Sequence, residues 1–228
     1  NGNGYTDFIA VNSSASPRTL YHLEITEGGI ETLWEYSMPE NKSGYFADMI
    51  LGDFDNDGSQ ELIVAAYQDE SQNIFYIFST DAMGSYMNLH NVIGINNSSI
   101  KITQPMVGSN DRYIWYAHRT SSWQYNARFP QYQISKFDRE TGEIKRETSR
   151  FGSAFTPTLS PDGKWLVYGT RYEDKTALRI RDLKTGDERW LAYPVQKDDQ
   201  ESQATMGVLP NMSFTPDSQN LIASYGGK

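Results

Sequence analysis

The sequence predicts an all-β fold, a run of small antiparallel sheets, and three observations carry the prediction. A turn-then-strand unit recurs along the chain. In Leu159 to Tyr172, LSPDGKWLVYGTRY, a turn on Ser160-Pro161-Asp162-Gly163 precedes the apolar run Trp165-Leu166-Val167-Tyr168. Proline presets one turn dihedral, aspartate bonds its own backbone, and glycine takes the positive φ that other residues resist. The unit returns 55 positions on, where Phe214-Thr215-Pro216-Asp217-Ser218 precedes Leu221-Ile222-Ala223-Ser224, and Tyr113 to Arg119 matches Trp165 to Arg171 at an offset of 52. Further upstream Asn3-Gly4 opens Phe8 to Val11, and Asp57-Gly58 opens Leu62 to Ala65, 54 apart. Secondly, a hairpin pattern alternates with the first one. Gln133 to Glu143 (QISKFDRETGE) returns as Leu178 to Asp187 (LRIRDLKTGD), with Thr141-Gly142 and Thr185-Gly186 lying 44 apart. Thirdly, helical periodicity is nearly absent. One hairpin of each kind gives four strands per repeat of about 50 residues, the mark of a β-propeller.

Taken in order, the blades run from 1 to about 46, 47–101, 102–153, 154–207 and 208–228, the last only begun. The first turns its hairpin, Leu20 to Tyr36, at Gly28-Gly29, and the second turns Ile74 to Leu89 near Gly84. The third and fourth carry the Thr-Gly hairpins, continued by Ile144 to Thr148 and Glu188 to Tyr193. The polar stretch Pro194 to Ala204 reads as a solvated rim loop. An array with a half-finished last blade does not close on itself, so the expectation is a partial, incomplete β-propeller of about four to five four-stranded blades, a fragment of a larger one. The chain starts at Asn1 without Met, inside a turn, and stops at Lys228 just after a strand. Any signal peptide would lie outside such a piece.

Hydrophobic residues make up 38% of the 228 and aromatics 13%, enough for the sheets' shared cores. The net charge of −9 argues against nucleic acid or an anionic membrane surface as partner and is compatible with cation binding. Zero cysteines exclude disulfides, thiolate metal sites and a thiol nucleophile, and no apolar run reaches the length of a membrane span.

Asp53-Phe54-Asp55-Asn56-Asp57-Gly58-Ser59-Gln60-Glu61 places carboxylates at loop positions 1, 3, 5 and 9, with glycine at 6 and the Ser59 carbonyl at 7. Alternate residues of a curled loop can aim oxygens at one centre, which suits Ca²⁺. An EF-hand needs glutamate at position 12, where this chain has Val64. The loop resembles the FG-GAP/VCBS repeat, which implies a strand-loop-strand calcium site on Asp53, Asp55, Asp57, Ser59 and Glu61. Asn1, Asn3, Gly4 and Asp7 form a weaker second copy. The bland alternative is a set of Asx-turns with no metal.

No catalytic constellation emerges. His22, His90 and His118 form neither HxH nor HExxH, and Phe151-Gly152-Ser153-Ala154-Phe155 lacks the closing glycine of GxSxG. His118, at a strand end, reads as structural. One insertion stands out: Arg119 to Pro130, RTSSWQYNARFP, holds Trp123, Tyr125, Arg128 and Phe129. These are residue types that contact surfaces favour, and the alternative is a packed Ω-loop.

The phrases YNARFPQYQISKFDRETGEI, GSAFTPTLSPDGKWLVYGTRY, LRIRDLKTGDERWLAYPVQKDDQES and FTPDSQNLIASYGGK, spread over 119–228, resemble the TolB-type propeller ahead of the catalytic barrel in bacterial imidazolonepropionase-like amidohydrolases. The resemblance implies a non-catalytic propeller module of a periplasmic or extracellular, metal-dependent amidohydrolase-like protein. Rim loops at Ser121 to Pro130 and Gln196 to Ser202 would then meet the catalytic domain, another protein or the substrate. Two further expectations stand beside it: a calcium-binding FG-GAP-type recognition propeller, and the propeller of a prolyl-oligopeptidase-like peptidase.

Overall fold

The computed structural model describes residues 3–12, 14, 16–39, 44–54, 57–68, 72–80, 87–95, 106–110, 112–120, 132–173, 175–197 and 211–223. The chain is all-β, as the sequence predicts, and falls into two units, Asn1–Ser98 and Ser99–Lys228.

The first unit holds two sheets. In one, β1 (Thr6–Asn12), β2 (Thr19–Thr26) and β3 (Gly29–Ser37) pair antiparallel in chain order. In the other, β4 (Gly44–Gly52), β5 (Glu61–Gln68), β6 (Gln72–Thr80) and β7 (Met87–Ile95) do the same. Every second residue of a strand faces one side. Leu62, Val64 and Ala66 of β5 and Ile74, Tyr76 and Phe78 of β6 therefore meet Leu20, Met38, Trp34 and Tyr36 of the three-stranded sheet in one core. The intervening Ile63, Ala65, Phe75 and Ile77 are buried as well. Burial on both faces explains why LIVAA and IFYIF are continuous apolar runs with no polar alternation.

The second unit holds three sheets. β8 (Met106–Ser109), β9 (Tyr113–Arg119), β10 (Tyr132–Asp138) and β11 (Ile144–Arg146) form the first. β12 (Phe155–Leu159), β13 (Trp165–Tyr172), β14 (Lys175–Asp182) and β15 (Glu188–Lys197) form the second. β16 (Met212–Phe214) and β17 (Leu221–Ala223) pair as the third. The middle sheet is covered on both faces. Leu166 and Tyr168 pack with Trp115, Ala117 and Ile134, whereas Val167, Leu178 and Ile180 pack with Met212, Phe214, Leu221 and Ala223. Neighbouring small sheets thus supply each other's cores, and none could bury both faces alone.

The repeats are reproduced bond by bond. Asp138 Oδ1 accepts the Glu140 and Thr141 amides at 2.9 and 3.1 Å, and Asp182 Oδ1 accepts those of Lys184 and Thr185 at 2.8 and 2.9 Å. The Ser160 hydroxyl accepts the Trp165 amide at 2.9 Å, and that of Thr215 accepts the Asn220 amide at 3.1 Å. One substitution within the repeat is informative. Gly163 sits at φ 68°, and in the next copy Ser218 holds φ 60°. A serine in the left-handed region is strained, and here its Oγ accepts the amide of Asp162 from the preceding turn at 3.0 Å.

One expectation is corrected in part. Pro194 to Lys197 is not loop: β15 continues there, with Gln196 opposite Thr176 and Lys197 opposite Lys175, because Val195 is buried in the core. The rest of that stretch, 198–204, lies outside the described residues.

Candidate functional site

The acidic loop joins β4 to β5. Asp53 leaves β4 and accepts the Asp57 amide on Oδ1 and the Gly58 amide on Oδ2, both at 3.1 Å. Gly58 takes φ 89°, which allows the reversal. Asp57 Oδ1 accepts the Ser59 amide at 2.7 Å. Glu61 opens β5, is only 3% exposed, and accepts the Phe54 amide on Oε2 at 2.7 Å. The loop's end is fixed to β6, since the Gln60 carbonyl accepts the Thr80 amide at 3.0 Å and its hydroxyl at 3.1 Å.

This folding brings carboxylate oxygens of Asp53, Asp57 and Glu61 within 4.8 Å of one another. Two like charges at that distance repel by about 1 kcal/mol in bulk water and roughly 3–4 kcal/mol at an effective dielectric of 20. The four backbone N–H donors offset part of this, and an oxygen-seeking cation would offset more. The donor set, three carboxylates, fits the oxygen-seeking chemistry of Ca²⁺. Asp55 lies outside the described residues. In the weaker N-terminal copy, Asn3 spends its side chain locally: its amide donates to Glu24 Oε1 at 2.7 Å, and its Oδ1 accepts the Tyr5 amide at 3.0 Å.

Trp123, Tyr125, Arg128 and Phe129 all lie outside the described residues. His22 is buried with its Nε2 3.7 Å from Asp7 Oδ1. His118 is 1% exposed, and burial, followed by the charge of Arg146, pushes its pKa down to about 4. It is therefore a neutral imidazole of the sheet interior at pH 7.

Sequence reasoning missed a second polar centre, in the fourth blade. Register sets Arg179 opposite Trp190 and Arg181 opposite Glu188. Glu188 accepts Arg179 Nε at 2.6 Å and Arg181 Nε and Nη2 at 3.0 and 2.9 Å. Burial pushes the Glu188 carboxyl up, but contacts with Tyr168, Arg181 and Arg179 hold it below its usual value. The alternation of arginines in LRIRD against ERW was the available signal. Gln133, wholly buried, grips the segment after β11 at Thr148 and Arg150.

No family model matches the chain, and no curated protein matches it. Solved structures do. A TolB-like protein from Agrobacterium tumefaciens is 15% identical, with 82% of this chain and 61% of that one covered and a TM-score of 0.51. A chain of the nidogen/laminin complex is 12% identical, with 96% and 70% covered and a TM-score of 0.53. A chain of the complex of KlAtg21 with the coiled coil of AgAtg16 is 16% identical, with 96% and 60% covered and a TM-score of 0.51. At these identities the likeness shows the fold alone, a β-propeller built of small antiparallel sheets. The chain spans 61% of the length of the TolB-like structure.

Proposed function

We propose that this chain is a non-catalytic, TolB-like propeller module of a periplasmic or extracellular amidohydrolase-like protein, a scaffold, gate or docking platform for the catalytic domain. The observation that carries this reading is that the phrases resembling amidohydrolase propellers fall on consecutive described sheets, from β10 to β17. The likeness to the TolB-like protein supports the coarser part, a propeller module. Reading the coding sequence past Lys228 tests the finer part. An HxH-bearing barrel supports it, whereas GxSxG or a further run of acidic repeats overturns it in favour of a peptidase or an adhesion propeller.

A second reading, calcium binding by the FG-GAP-like loop, is favoured by the convergence of Asp53, Asp57 and Glu61. These carboxylates, with Asp55 and the Ser59 carbonyl, would hold the ion, which would tie β4 to β5 and act as a structural brace. Calorimetric titration with Ca²⁺, with Mg²⁺ as control, tests it. Saturable Ca²⁺ binding that Asp57→Ala removes is the expected result, and no heat in the wild type refutes it.

A further inference from the structure

Where the segment after β11 passes the end of β13, the surface opens into a cleft of about 640 Å³ lined by Arg150, Phe151, Gly152, Arg171, Tyr172 and Glu173. Its floor is held by specific bonds. The side-chain amide of Gln133 donates to the Arg150 carbonyl at 2.6 Å and accepts the Arg150 amide at 3.1 Å. The Gly152 carbonyl accepts the Arg171 amide at 2.7 Å, and a Cβ on Gly152 would sit 2.0 Å from the Arg171 carbonyl oxygen. One wall residue, Glu173 at φ 53°, and the buried Ser153 that follows Gly152, at φ 67°, are in the left-handed region. Such conformations persist only where the surroundings enforce them.

Two properties of the cleft point to a ligand class. The first is uncovered aromatic surface. Of the lining residues, Phe151 is 81% exposed and Tyr172 is exposed as well; outside the lining, the Tyr172 ring continues into exposed Trp190 and Tyr193, with ring centroids 5.0 and 5.2 Å away. The second is surplus positive charge in a chain of net charge −9. Arg150 reaches Glu188 through one Nη at 3.3 Å, but that carboxylate already holds Arg179 and Arg181. Arg150 Nε is shielded from solvent and has no hydrogen-bond partner among the described residues. In the lining itself Arg150 and Arg171 outnumber the one carboxylate, Glu173, and Glu147 is engaged by Lys136 at 3.2 Å, Lys145 at 3.4 Å and Arg181 at 3.4 Å. A cationic ligand is disfavoured, because the guanidiniums of Arg179 and Arg150 already stand over Trp190 at 4.4 and 5.5 Å.

We propose that this cleft binds a small ring-bearing carboxylate, with the carboxylate on Arg150 and the flat face of the ring against Tyr172 and Phe151. Guanidinium matches carboxylate geometry in a way a point charge does not, and the cleft's volume suits a ligand of one or two rings. The ring can be aromatic or a sugar, since both present an apolar face.

Isothermal titration of the chain at low salt tests the proposal, with benzoate and glucuronate as probes. Benzamide and glucose are their uncharged counterparts, and acetate is the ringless control. At least one ring carboxylate should bind saturably, at least tenfold more tightly than its neutral counterpart and than acetate. Which of the two binds identifies the ring. Arg150→Gln should erase the preference for carboxylate over neutral ligand, and Tyr172→Ala the preference over acetate, both with the melting temperature of the wild type. Arg150→Lys should keep part of the preference, separating charge from fork geometry. The proposal is overturned if neither probe saturates, if charged and neutral forms bind alike, or if Arg150→Gln binds like the wild type. Binding only of a peptide bearing a C-terminal carboxylate would equally overturn it.

Discussion

Replacing Gln133 by methionine isolates the polar work of one buried side chain, because methionine keeps the volume and leaves no cavity. In the wild type the Gln133 amide donates to the Arg150 carbonyl at 2.6 Å, and its oxygen accepts the Thr148 hydroxyl at 2.7 Å and the Arg150 amide at 3.1 Å. Methionine removes all three bonds. The Arg150 carbonyl still accepts the Ser153 amide at 3.3 Å, so it is not abandoned. The Arg150 amide and the Thr148 hydroxyl lose their partner, and each orphaned buried donor costs roughly 1–3 kcal/mol. The segment after β11 lies at the surface and relaxes toward water, which places the sum near the lower end, about 3 kcal/mol. For a chain of this size that lowers the melting temperature by about 6–12 °C. Thermal unfolding followed by circular dichroism reads the total, and hydrogen exchange at the Arg150 amide reads the site. A Gln133→Met protein melting within about 2 °C of the wild type, with the Arg150 amide equally protected, would refute the reasoning.

Three other outcomes follow from described geometry. His118 titrates near 4 in the folded chain and near 6.5 unfolded. The unfolded chain therefore takes up its proton first, and stability falls as pH drops from about 6.5 to 4, by about 3 kcal/mol in all. Urea unfolding at pH 7, 5.5 and 4 should show that slope, and His118→Phe should lack it. Ser218→Ala keeps the left-handed strain and loses the bond to Asp162, costing about 1–3 kcal/mol, whereas Ser218→Gly relieves the strain and should lie within about 1 kcal/mol of the wild type. Equal losses for the two variants in chemical denaturation would contradict that account. Leu166→Ala, emptying part of the core between the β8–β11 and β12–β15 sheets, should cost about 2–5 kcal/mol in the same measurement.

Much of the fold was legible because its signals are local. The Pro-Asp-Gly and Thr-Gly turns, and apolar runs such as Trp165 to Tyr168, depend on residues within a few positions of each other, and they recur. The strand β8 is less marked, being four residues long with a glycine inside it. Pro194 to Lys197 misled because proline and polar side chains suggest a loop, while the pairing with Thr176 and the burial of Val195 that make it a strand are long-range. The acidic loop was readable as a cluster for the same local reason: Asp53, Asp57 and Glu61 lie within nine consecutive residues. The aromatic cleft was not. It is assembled from 149–152 and 171–173, some twenty residues apart, which meet where the Arg171 amide donates to the Gly152 carbonyl. Nothing within a short window encodes that meeting.

The tie between Asp162 and Ser218 has a practical corollary for anyone trimming the chain. A stop placed before Ser218 would not merely delete the last short hairpin. It would strip an acceptor from the amide of the previous turn and uncover Val167, Leu178 and Ile180, which lean on Met212, Phe214, Leu221 and Ala223. Fraying would then spread backwards by one sheet, so a safe terminus must leave each interlocking pair of turns whole.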